Sequence, residues 1–136
     1  MAGASAPLAG AVVGALMAAP LGAAPPPLRV FAPGFEPGLW AVEPARPGGP
    51  AERRCLADPG TLLFVGPPPA PACRILVHED RADRAAVGWS CPDGESGRSE
   101  VRRDHAGLYV AQGQGVRDGR PWAAHREYRR LGPCPR

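Results

Sequence analysis

The sequence predicts a mainly β fold: a curled antiparallel meander or partial barrel with one short helix, pinned by two disulfides. Three observations carry this expectation. From Cys73 onward, apolar and polar residues alternate with period two between closely spaced turn residues. Four widely spaced cysteines sit in a chain of only 136 residues. Helix signals are confined to one place, Asp58-Pro59 ahead of Thr61-Leu62-Leu63-Phe64.

The chain opens with residues 8–23, which are apolar or small and carry no charge. That length suits the core of a cleavable signal segment and falls short of the roughly 20 residues a membrane span needs. Residues 1–24 therefore read as a leader and residues 25–136 as a single disulfide-bonded β domain. No basic residue precedes the apolar run and Pro25 follows Ala24, so the exact cleavage site stays open. What remains, roughly 110 residues, buries only about two-thirds of its unfolded surface, and covalent staples would supplement so small a core. The expected compartment is the periplasm or the exterior, with no transmembrane span once the leader is gone.

Between two proline-rich stretches, Pro25 to Pro27 and Pro44 to Pro50, the run Gly38-Leu39-Trp40-Ala41-Val42-Glu43 reads as a first strand. Gly66 and the prolines after it end the short helix. Cys73, Ile75 and Val77 then alternate with Arg74, Leu76 and His78, and Ala85, Val87, Trp89 and Cys91 alternate with Ala86, Gly88 and Ser90. Turn chemistry falls at Glu79 to Asp83, Pro92 to Gly97, Asp104 to Gly107 and Asp118-Gly119. Strands joined so tightly are antiparallel neighbours, which predicts a five-stranded meander over residues 73–131. The first strand and the helix are expected to cover one end of the sheet or to close its curl. Under that arrangement the expected bridges are Cys55 to Cys73 and Cys91 to Cys134, one of the three pairings that four cysteines allow.

All sixteen basic residues are arginine, and lysine and asparagine are absent, the signature of GC-rich codons. A net charge of +3 is too mild for a nucleic-acid partner. It is uneven, with nine arginines against four acids in residues 98–136 and seven against nine in residues 25–97.

Pro37-Gly38-Leu39-Trp40, Cys55-Leu56 with Asp58, Cys73, Trp89-Ser90-Cys91 and Gly132-Pro133-Cys134 together resemble, in that order, the bacterial family called domain of unknown function 3617. The resemblance spans nearly all of the chain after the leader and implies a small periplasmic β protein with no established activity. Ala41 stands where many members carry an acidic residue, and arginine and alanine stand where their late strands are rich in methionine.

Catalytic signatures are sparse. His78, His105 and His125 are scattered, and no G-x-S-x-G elbow accompanies Ser90, Ser96 or Ser99. Glu79, Asp80 and Asp83 alternate with Arg81 and Arg84 in a hairpin tip, which reads as solvated charge. Gaps of seventeen, seventeen and forty-two residues between cysteines do not suit zinc. Gly113, Gly115 and Gly119 mark bulges or close strand approach rather than a phosphate loop. No enzyme activity, cofactor or metal is expected. The leading class is a non-catalytic binding or interaction module, its partner a small anionic ligand or an envelope protein. An inhibitor or accessory subunit of an exported enzyme is the alternative, and a hydrolase comes third.

Strand parity supplies one candidate site. If Val101 faces inward, Arg103 joins it; if Trp122 and Tyr128 face inward, Arg126 lies on their side. The four residues Arg103, Arg126, Trp122 and Tyr128 are the expected anion-accepting patch, with a register shift near Ala123-Ala124, or pairing to Glu100 or Glu127, as the competing outcome.

Overall fold

The computed structural model describes residue 3 and residues 28–32, 34–44, 49–65 and 68–136. The expected leader, Gly3 apart, and the stretch Pro25 to Pro27 lie outside the described residues, as does part of the stretch from Pro44 to Pro50.

The elements run β1 (Gly38–Glu43), β2 (Glu52–Leu56), α1 (Gly60–Leu63), β3 (Arg74–Asp80), β4 (Arg84–Ser90), β5 (Ser96–His105), β6 (Leu108–Arg117) and β7 (Arg120–Gly132). All strands are antiparallel in one open seven-stranded sheet of order β2-β1-β7-β6-β5-β4-β3. The meander is therefore β3 to β7 as the turn chemistry predicts. Asp118 and Gly119, at φ 51° and 69°, make the two-residue turn that matches strand twist at the β6–β7 hairpin. Asp93 shapes the β4–β5 turn by accepting the Glu95 N–H at 2.9 Å.

The first strand does not cap the sheet but extends it. β7 is thirteen residues long; Arg120 to Arg129 pair with β6 along one edge, and its second half pairs with β1 along the other, from Glu43↔Glu127 to Leu39↔Gly132. β2 then pairs with the free side of β1, with Leu39↔Cys55 in register. Cys55 thus reaches the end of β7, and the bridges are Cys55–Cys134 and Cys73–Cys91, with Cα separations of 5.7 and 4.1 Å. This corrects the expected pairing of Cys55 with Cys73 and Cys91 with Cys134. Cys73 and Cys91 flank the terminal pair Arg74↔Ser90 of the β3–β4 hairpin, so sheet register alone makes them neighbours.

One face of the sheet holds the core. Trp40 and Val42 of β1, Tyr128 of β7, Tyr109 and Ala111 of β6, Val101 of β5, and Ala85 and Val87 of β4 meet Val30, Phe31, Leu62, Leu63 and Val65 from the connecting segments. Asp58 shapes the start of α1, accepting the Gly60 N–H at 2.8 Å through Oδ1. The helix begins one residue later than Asp58-Pro59 suggests, a shift within the usual fraying of helix ends. Ser99, the one buried polar residue among the described residues, ties α1 to β5 by donating to the Leu63 carbonyl.

Farther along the same face, Trp89, Gly97, Gly115 and Trp122 form one cross-strand row. The two indoles lie over the glycines and stack, their ring centroids 6.1 Å apart. A Cβ at Gly97 would come within 2.6 Å of the Trp89 ring, and one at Gly115 within 2.7 Å of Gly97 Cα. Gly115 marks close approach, as its place in the sequence suggests, and Gly97, read there as the end of a turn, lies within β5 and does the same.

Candidate functional site

The β6–β7 ladder runs without a shift from Leu108↔Arg129 to Arg117↔Arg120, so no bulge at Ala123-Ala124 turns β7 over. Arg126 lies opposite the buried Ala111, and Tyr128 opposite the buried Tyr109. Both point to the core face. Glu127 pairs with Arg129, and Glu100 with Arg84 at 3.5 Å. Neither of the acids that sequence offers to Arg126 is therefore its partner.

Arg126 opens into a groove of about 700 Å³ between α1 and the β2-β1-β7 part of the sheet. Val42, Leu56, Phe64, Val65 and Tyr128 give it apolar walls, while Arg54, Arg126 and Asp58 supply charge. Asp58 is committed to the Gly60 N–H, and Arg54 donates through Nε and Nη2 to Glu52. Arg126 Nη1 donates to the His125 carbonyl at 2.9 Å, and among the described residues it meets no carboxylate. Burial pushes the Tyr128 phenol above its ordinary pKa, while the Arg126 and Arg54 charges act in the opposite direction.

The four expected site residues do not form one patch. Arg126 and Tyr128 share the groove. Trp122 is six positions before Tyr128 on the same strand face, about 20 Å away at the rise of a strand, where it stacks on Trp89 and carries the Arg117 guanidinium 5.8 Å from its ring centroid. Arg103 does face inward, opposite Tyr109, but its guanidinium packs against Gly34 in a separate cluster of Phe31, Phe35, Trp40 and Tyr109. Burial raises the Tyr109 phenol there, against the nearby Arg103 charge. Arg54 is the groove residue that the sequence did not single out. It comes with β2, a strand whose Glu52-Arg53-Arg54 start gives no alternation of apolar residues to find.

The histidines are spread over the molecule. His78 overlies Gly88, His105 Nδ1 accepts the Gly107 N–H at 3.1 Å, and His125 lines a shallow depression of about 440 Å³ on the opposite face with Arg98, Glu100, Gln112, Ala123 and Ala124. Among the described residues no group of three or more His, Cys, Asp or Glu side chains is placed to hold a metal ion. Nor is any described helix long and apolar enough to cross a membrane. Comparison with known protein families, with curated proteins and with solved structures finds no match to this chain.

Proposed function

We propose that the chain is a periplasmic, non-catalytic binding module whose groove holds a small amphiphilic anion. The head group, a carboxylate or phosphate, takes Arg126, and the apolar tail lies along Val42, Phe64 and Val65. Arg126 is the observation that carries this reading: it enters a largely apolar groove and meets no carboxylate among the described residues. A guanidinium in such surroundings is costly unless paired or wet, and a bidentate oxyanion supplies the pairing. Arg54 adds positive charge beside it, and the Tyr128 ring offers an apolar wall with a polar tip.

Two disulfides are consistent with an oxidising compartment. The order of Pro37-Gly38-Leu39-Trp40, the four cysteines and Trp89-Ser90-Cys91 supports membership of the domain of unknown function 3617 family.

Calorimetry of the oxidised protein with octanoate, octyl phosphate and octanol tests the proposal. Both anions bind and octanol does not. Arg126→Gln weakens the anions roughly tenfold or more, the loss of one charge-assisted hydrogen-bonded contact of about 1.5–3 kcal/mol. Failure of the wild type to bind either anion, or equal binding by Arg126→Gln, would overturn it.

A further inference from the structure

The open sheet ends in two unlike edges. β2 presents Glu52, Arg53 and Arg54, all exposed, and such charge discourages another strand from pairing. β3 presents Ile75, Leu76 and Val77 in succession, exposed by 49%, 52% and 55%. Charge and a bulge are confined to its ends, at Arg74 and from His78 to Asp80, so neither proline nor charge blunts the row of backbone N–H and C=O groups over Ile75 to Val77.

We propose that two copies of this chain join along β3, edge to edge and antiparallel, about a two-fold axis at Leu76. The strand is complementary to itself. That axis sets Leu76 opposite Leu76 of the second copy and Ile75 opposite its Val77. Ile75 and Val77 stand opposite Trp89 and Val87, so both belong to the core face, and the pairing keeps the core faces of the two sheets on one side. On the face away from the core, that axis sets Arg74 opposite the His78–Glu79 bulge of the second copy, so each Arg74 comes beside a Glu79. Arg74 forms no salt bridge among the described residues, while Glu79 pairs with the exposed Arg81 at 3.6 Å and Asp80 accepts the Arg29 N–H at 2.7 Å. The edge is held ready for pairing. Cys73–Cys91 fixes its start, and the β3–β4 register is regular from Arg74 to Val77, up to the bulge between Val77 and Glu79. A homodimer that continues a sheet through one strand of each copy is an isologous contact and closes on itself.

Sedimentation of the oxidised protein over a concentration series tests this, with two variants at Leu76 and one at the other edge. The wild type passes from monomer to dimer as concentration rises. Leu76→Lys remains monomeric with both native bridges intact, while Arg53→Ala on β2 dimerises as the wild type does. Leu76→Cys forms a covalent dimer under mild oxidation, because directly opposed residues of antiparallel strands have Cα atoms about 4.5–5.5 Å apart, within disulfide reach. A wild type that stays monomeric throughout overturns the proposal. So does a dimer that Leu76→Lys leaves intact, a Leu76→Cys protein that does not cross-link, or a β3 edge occupied instead by a different protein.

Discussion

Gly115→Ala is the most direct probe of how the sheet is built. A Cβ there would lie 2.7 Å from Gly97 Cα and closer still to the Ser96 carbonyl oxygen. Both obstacles are backbone, so no side chain can swing aside, and β5 and β6 must part locally. Overpacking of this kind costs about 1–3 kcal/mol, and loss of two ladder hydrogen bonds adds about 1 kcal/mol each. The reduced freedom of the unfolded chain returns about 0.4–1 kcal/mol, leaving a net loss of about 2–5 kcal/mol. At about 4 °C per kcal/mol, the melting temperature falls by about 8–20 °C. Gly107→Ala is the control, since its Cβ would meet nothing closer than 3.5 Å. Thermal unfolding of the oxidised proteins by circular dichroism compares the two, and the coupled signal of the stacked Trp89–Trp122 pair should weaken only in Gly115→Ala. Equal stability of the two variants would refute the close approach of β5 and β6 at this row.

Non-reducing peptide mapping should recover one peptide pair joined through Cys55 and Cys134 and another through Cys73 and Cys91. With sequence separations of 79 and 18, chain entropy assigns about 4.5 kcal/mol to the first bridge and about 3 kcal/mol to the second, so the Cys55→Ser/Cys134→Ser protein should melt below Cys73→Ser/Cys91→Ser. Ser99→Ala removes the donor to the buried Leu63 carbonyl and should cost about 1–3 kcal/mol in urea unfolding, loosening α1 from β5. Tyr109 and Tyr128 have phenols raised by burial, so their contribution to stability is complete below the ordinary tyrosine value of about 10 and is lost as pH rises through the folded values, because the unfolded chain ionises first. Stability measured from pH 9 to 12 should fall, and less steeply in Tyr128→Phe.

What the sequence revealed divides along the range of the interaction. Turns such as Asp118-Gly119 and Pro92-Asp93-Gly94 are dictated by residues adjacent in the chain, and the meander from β3 to β7 follows from them. Period two likewise put Arg126 on the face of Tyr128, because parity needs only an unbroken strand. Parity is silent on distance along that face, so it groups Trp122 with residues about 20 Å away. The partner of β1 is not legible, since β1 joins the edge of β7 away from β6, beside Glu127 to Gly132, across a long separation in sequence that no turn dictates. The disulfide pairing and the place of Arg54 both follow from that one non-local contact.

The two bridges also show where burial alone does not hold the sheet. β2 and β3 are the end strands and the least buried, with every residue of β2 but Leu56, and every residue of β3 but Glu79, exposed. Each is covalently tied near one end, β2 to the tail of β7 and β3 to the end of β4. Apolar contacts concentrated on β1, β7, β6, β5 and β4 hold the centre without such help. Reduction should therefore free the edges before the centre, and β2 carries Arg54 and Leu56 into the groove wall. Hydrogen exchange on the reduced protein should show the β2 amides exposed while those of β5 and β6 stay protected. Octyl phosphate affinity should drop under the same conditions, with the meander still folded. Uniform loss of protection across all strands would mean that the bridges sustain the core itself, and the link between the Cys55–Cys134 bridge and the groove would fail.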